Sequence, residues 1–136
     1  MQGLAHRQPQ PVHEFFTAHS LTKLREFYSA FRAVSETYSI DNEEFAELFG
    51  QRNHEIFQLM DTDDNLLIDG LELFCVMALL SAQLAPLSKV KFLFGIFDFN
   101  ELRSLSRIDL EFLLASCCSG VGKAMGVRGE DPEAVE

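Results

Sequence analysis

The chain has no Trp, three Cys and four Pro, and it carries only 11 Lys and Arg against 21 Asp and Glu over 136 residues. Each shortage removes a class of protein. Three Cys cannot close a disulfide framework of the kind that staples small secreted domains. Cys75, Cys117 and Cys118 stand among apolar neighbours on expected helices and read as buried, reduced thiols in a cytoplasmic compartment. No apolar run reaches the roughly 18 residues that a membrane span needs. The longest candidate, 71–87, is interrupted by Glu72, Ser81, Gln83 and Pro86. The opening Met1-Gln-Gly-Leu-Ala-His-Arg lacks the apolar centre of a secretory signal, and Gly3 does not directly follow Met1 as myristoylation requires. With so few bases, nucleic acid is not expected as a direct partner, because phosphate binding needs a basic face. His6, His13, His19 and His54 show no zinc spacing. Gly120-Val-Gly-Lys123 lacks both the spacing of a phosphate loop and its following Ser or Thr. No residues assemble a nucleophile, base and oxyanion donor, so the chain is not expected to be an enzyme.

What is present is apolar and acidic. The chain is 47% hydrophobic with 13 Phe, which suits one compact domain with a Phe-lined helical core. The net charge of −10 is unevenly placed. Residues 36–72 hold eleven acids and one base, Arg52, while the remainder balances at ten and ten. That surplus suits a cation or a basic peptide as partner.

The surplus centres on Asp61-Thr-Asp-Asp-Asn-Leu-Leu-Ile-Asp-Gly-Leu-Glu72. Counted from Asp61, oxygen-bearing groups fall at positions 1 (Asp61), 3 (Asp63), 5 (Asn65), 9 (Asp69) and 12 (Glu72), with the Leu67 carbonyl at 7. This is the ligand spacing of a calcium-binding EF-hand loop. Ca²⁺ is a hard cation that takes six to eight oxygens, and alternate residues of a tight loop supply them, with Glu72 closing from the next helix. An acidic helix cap on a solvated loop would account for the acids of 61–64. It does not account for the offsets of Asn65, Ile68 and Glu72. One position departs from the pattern: Leu66 stands where Gly makes the sharp turn with positive φ. A bulky residue there costs about 1–2 kcal/mol. The ligand set is complete and the hinge is strained, so the loop reads either as a single weak Ca²⁺ site or as a metal-free relic of one.

Apolar periodicity and caps predict helices at about 20–33, 41–49, 52–60, 69–83, from 86, and from 106 or 107 to about 120, with a short helix opening at Pro11 and ending near His19. Three segments share one frame: an apolar residue at loop position 8, an acid at 12, and apolar residues at 13, 16 and 17. They are Ile40, Glu44, Phe45, Leu48 and Phe49; Ile68, Glu72, Leu73, Val76 and Met77; and Leu105, Asp109, Leu110, Leu113 and Leu114. On these residues the chain resembles the EF-hand superfamily over about 20–119, with units near 20–50, 52–83 and 86–119. The start of the first helix, from Leu21 to Tyr28, is similar to neuronal calcium sensors and calcineurin-B-like proteins. Phe97-Asp98-Phe99-Asn100 resembles EF-hand modules of large ciliary and cytoskeletal proteins.

The resemblance implies an all-α fold of calmodulin-like helix–loop–helix units packed in pairs, with a short β bridge between loops at Ile40 and Ile68. The domain is expected over 13–120, with a disordered lead at 1–12 and a flexible acidic tail at 121–136. The outer loops have lost their ligands. The first offers Ser35, Thr37 and Ser39 before Glu44. The third offers Asp98 and Asn100, then Leu102, Arg103 and the short Asp109. The implied function is a calcium-binding or calcium-derived interaction module, its partner an amphipathic helix of another protein or a second copy of itself. Two alternatives stand beside it: a metal-free scaffold domain of a larger cytoskeletal or ciliary protein, and a regulatory fragment of a larger enzyme. Leu105 lacks a bridging partner, so an apolar groove is expected near the third unit, filled by a partner helix or by the segment 12–19.

Overall fold

A computed structural model describes residues 9–126. Helix α1 spans Pro9–Thr17 and α2 Leu21–Val34; strand β1 (Ser39–Asp41) leads into α3 (Asn42–Phe49). A 3₁₀ turn at Gln51–Asn53 opens α4 (His54–Met60), and strand β2 (Leu67–Asp69) leads into α5 (Gly70–Leu80). Helices α6 (Pro86–Phe97) and α7 (Arg107–Ala124) complete the described chain. The architecture is helical, with one small two-stranded antiparallel sheet.

The caps explain where helices begin. Ser20 Oγ accepts from the Lys23 amide at 3.2 Å, and Pro86 takes the first turn of α6 where its missing N–H costs nothing. Asp41 and Glu44 form a reciprocal capping box: Asp41 Oδ1 accepts from the Glu44 amide at 2.8 Å, and Glu44 Oε1 accepts from the Asp41 amide at 2.9 Å. Asp69 caps α5 through the Leu71 and Glu72 amides. The strands meet as the frame predicts, with Ile40 opposite Ile68 and both side chains buried. The position-8 residues thus tie the first two helix–loop–helix units together through backbone pairing and one apolar cross-strand contact.

Helix α5 is the central element. Leu71 and every residue from Leu73 to Ala78 are buried, as expected of a helix that is apolar all round. Helices α1, α2, α6 and α7 pack around it. The expected Phe core is present: Phe16, Phe31, Phe45, Phe57, Phe74 and Phe97 are fully buried, with Phe31 stacked on Phe74 at 5.6 Å. Each buried Phe contributes about 1.5–3 kcal/mol by area.

Five expectations change. The segment 12–19 does not serve the third unit: α1 packs on α4 and α5, and its Phe15 ring meets α3, 5.4 Å from Phe49 and 6.3 Å from Phe45. Part of the expected lead, Pro9 to Val12, is helical, while residues 1–8 and 127–136 lie outside the described residues. Helix α7 does not end near Gly120 but runs through Gly120 and Gly122 to Ala124. In the third unit Leu110 and Leu114, apolar positions of the shared frame, are exposed, as is Val90 of α6. Helix α7 instead buries Leu113, Ser116 and Gly120, a narrow stripe of mostly small residues at i, i+3 and i+7. A Cβ on Gly120 would stand 2.7 Å from the Glu72 carbonyl oxygen and 2.7 Å from a Val76 methyl. Small residues let α7 lie directly on α5, and tertiary packing outweighs the low helix propensity of glycine. Across this seam the Cys75 thiol of α5 is pushed up by its hydrogen bond to Cys117 and by burial, and the same bond holds Cys117 down. Cys118, expected to be buried, is exposed.

His19, between α1 and α2, supplies a pH handle. Its ring packs edge-on against Phe15 and Phe27, and its Nε2 is buried with no hydrogen-bond partner among the described residues. Burial, aided by nearby Lys23, pulls its pKa below 6.5, against the pull of its backbone bond at Phe15. The unfolded chain binds the proton near 6.5 and the folded one only lower, so stability is full above that pH and falls as pH drops below it. Thermal melts at pH 7.5 and 5.5 should show a larger loss for the native chain than for His19→Leu; equal losses would contradict this.

Candidate metal centre

The loop 61–72 is built by its own side chains. Asp61 ends α4, and its two carboxylate oxygens accept from the Asn65 amide at 3.2 Å and the Leu66 amide at 2.9 Å. Asn65 Oδ1 accepts from the Leu67 amide at 3.1 Å. These bonds fold the turn so that Leu66 takes φ +67° and Asp64 φ +57°. Leu66 therefore holds the hinge conformation expected of position 6, in the left-handed region that disfavours its side chain, and it is exposed.

The third loop repeats this conformation 37 residues later. Asp98 accepts from the Leu102 amide at 3.1 Å and the Arg103 amide at 2.8 Å. Arg103 has φ +62° and Glu101 φ +56°, matching Leu66 and Asp64. Ser106 caps α7 where Asp69 caps α5. Two sequences with different ligands share one backbone path, so an Asp at the first position and the local hydrogen bonds set it. Among the described residues the third loop forms no strand, and Leu105 is only half-buried. The first loop differs. Helix α2 runs to Val34, Ser35 Oγ donates to the carbonyls of Thr37 and Ser39, and Arg32 donates to the Thr37 carbonyl at 3.0 Å. The Arg32 guanidinium lies 3.9 Å over the Tyr38 ring, a cation–π contact from α2 to the loop. Its Glu44 is committed to the capping box.

Of the six sequence-predicted ligands, Asp63, Asn65, Leu67, Asp69 and Glu72 line one open cavity of about 670 Å³. Asp61 lies on the other side of the loop, beside Thr62 and Asp64. The donor set fits a hard divalent cation in kind: carboxylate, amide and carbonyl oxygens without thiol or imidazole. It is not drawn together, since no three His, Cys, Asp or Glu side chains among the described residues are grouped closely enough to hold a metal. Burial pushes the Asp69 carboxyl up, opposed by its helix-capping bonds and assisted by the neighbouring Glu72.

Two features of the site escaped the sequence. The first is an aromatic wall: Tyr38 and Phe99 meet edge-on at 5.6 Å, and with Phe112 they line the same cavity. The second is Lys123 from the last turn of α7, whose Nζ lies 2.8 Å from Glu72 Oε1. The pair is well shielded, with side-chain exposures of 24% and 13%. A helix ending near Gly120 leaves Lys123 in a tail; only one continuing through Gly120 brings it here, one turn on along the same face. Compared with family models, curated proteins and solved structures, the chain finds no significant match.

Relieving the hinge is a direct probe of this loop. Leu66 carries positive φ without a metal, so Leu66→Gly removes a cost the fold already bears and should raise its stability by about 1 kcal/mol. An unchanged or lower urea midpoint would show that Leu66 is not strained at this hinge.

Proposed function

We propose that this chain is a calcium-binding EF-hand interaction module with one cation site in the loop 61–72. The carrying observation is that loop's conformation: Asp61 organises the turn, Leu66 takes the hinge with φ +67°, and Ile68 bridges Ile40. Asp61, Asp63, Asn65, the Leu67 carbonyl, Asp69 and Glu72 would hold one Ca²⁺, and the ion would supply the charge that draws these oxygens together. The first loop is tied up by Arg32 and the capping box, and the third carries Arg103 at its hinge, so neither is assigned a metal.

The interaction half of the reading rests on the third unit. Leu102, Ile108, Leu110, Phe112 and Leu114 are exposed on one loop and the helix that follows it. Such residues suit the apolar face of an amphipathic partner helix or of a second copy of the chain. Among the described residues no helix is long and apolar enough to cross a membrane. The second reading, a metal-free scaffold domain, is favoured by one observation: Lys123 already neutralises Glu72. Calcium calorimetry on the 136-residue chain separates the two. One equivalent of bound Ca²⁺ supports the first reading. No heat and no shift in melting temperature at millimolar Ca²⁺ would leave the scaffold.

A further inference from the structure

We propose that Lys123 is a built-in competitor for the cation, so that Ca²⁺ and the last turn of α7 exclude one another at Glu72. The inference rests on the calcium reading of the loop 61–72 and adds its regulation.

Three features carry it. The Lys123–Glu72 pair is short and shielded, unlike the exposed pairs Lys23–Glu26 and Arg107–Glu111. Its geometry is imposed by packing rather than by a flexible tether. Gly120 seats α7 against the Glu72 backbone itself, and one turn later Lys123 faces the Glu72 side chain. Lys123 also borders both sides of the loop, lining the cavity of Asp63, Asn65, Asp69 and Glu72 and the recess of Asp61 and Asp64. Lys123 is thus the one Lys or Arg among the described residues that lines both recesses.

The chemistry makes the two states exclusive. Closing a calcium site from position 12 requires both Glu72 oxygens. Lys123 holds one of them through a charge-assisted bond, and its positive charge opposes a divalent ion in the same shielded space. For Glu72 to turn to a cation, Lys123 must leave. The final turn of α7 then loses this side-chain anchor and keeps its backbone bonds, among them Met125 to Val121 and Gly126 to Lys123, and the packing of Val121 and Ala124 on the core. Cation binding therefore loosens the end of α7, and a partner that holds that turn in place weakens cation binding by the same factor.

The test compares Ca²⁺ calorimetry and amide hydrogen exchange on the full chain and on Lys123→Met, Lys123→Gln and Lys123→Arg; the Gln variant stands in if the Met variant does not fold. We expect about tenfold tighter calcium binding in Lys123→Met, near-native binding in Lys123→Arg, and calcium-accelerated exchange at Met125 and Gly126 in the native chain and Lys123→Arg but not in Lys123→Met. Calcium bound by Lys123→Met and not by the native chain would also support the competitor, while moving the native chain to the scaffold reading. Equal affinities in the native chain and Lys123→Met would overturn the proposal and leave the calcium site standing. Unchanged exchange at Met125 and Gly126 would overturn the coupling to α7. Absence of binding in every variant would overturn both this proposal and the reading beneath it.

Discussion

Gly120→Ala should lower the stability of the fold by about 1–3 kcal/mol, although Gly→Ala in an open helix interior raises it by about 0.5–1 kcal/mol. The sign turns on what the new Cβ meets. At Gly120 it meets the Glu72 carbonyl oxygen and a Val76 methyl, both at 2.7 Å. The carbonyl belongs to the backbone of the most buried helix and cannot rotate away. Helix α7 must therefore lift off α5, which also draws Lys123 from Glu72 and disturbs the Cys75–Cys117 contact. Gly122, two residues on in the same helix, is the control: nothing lies within 4 Å of its added Cβ, so Gly122→Ala should be neutral or stabilising. Urea denaturation of the two variants tests the pair. A stable Gly120→Ala would show that α7 does not lie on α5 at this distance.

Glu72→Gln should cost calcium binding about 100-fold or more, equivalent to about 2.7 kcal/mol. Glu72 is the only residue placed to close the loop from the following helix, and an amide offers one neutral oxygen in place of two charged ones. The same change is expected to weaken the metal-free fold by about 1–2 kcal/mol. The Lys123 ammonium, 24% exposed, loses its charged partner, and the first turn of α5 loses a carboxylate near its positive end. Coupling is the sharper readout. In Lys123→Met the stability cost of Glu72→Gln should shrink, because the ion pair is already gone. A calcium affinity unmoved by Glu72→Gln would remove this residue from the site.

Much of this could be read from the residues. Local signals are dense in the first two units. Ser20, Asp41 and Asp69 cap helices where their chemistry requires, and period-3.6 apolar stripes mark α2, α3 and α4. The offset between Ile40 and Ile68 gave the strand register without further information. The positive φ of Leu66 is legible because a tight loop needs one there, whichever residue occupies it. The loss came where tertiary packing outweighs local preference. Two glycines in five residues ordinarily end a helix, yet in α7 the first is the contact surface that continues it. With the helix cut short, Lys123 had no address, and the cation it brings to Glu72 stayed hidden. The same small-residue seam rotated α7 so that Leu113 points inward while Leu110 and Leu114 point out, contrary to the repeat frame. The aromatic wall was missed for a related reason: Tyr38, Phe99 and Phe112 come from three segments that only the packed units bring together.

The central claim is that a cation seats in the loop 61–72 beside the cavity lined by Tyr38. The absence of Trp makes a direct measurement possible, because the chain's two Tyr are its only efficient sensitisers of terbium luminescence. Tyr38 lines the cavity with Asp63, Asn65, Asp69 and Glu72, whereas Tyr28 packs on Phe31 and Phe74 and does not line it. Titrating Tb³⁺ under tyrosine excitation should give emission that saturates at about one equivalent. It should survive Tyr28→Phe, fall to background in Tyr38→Phe, and be displaced by Ca²⁺. Emission that is absent, or that ignores the loss of Tyr38, would contradict a cation site in this loop.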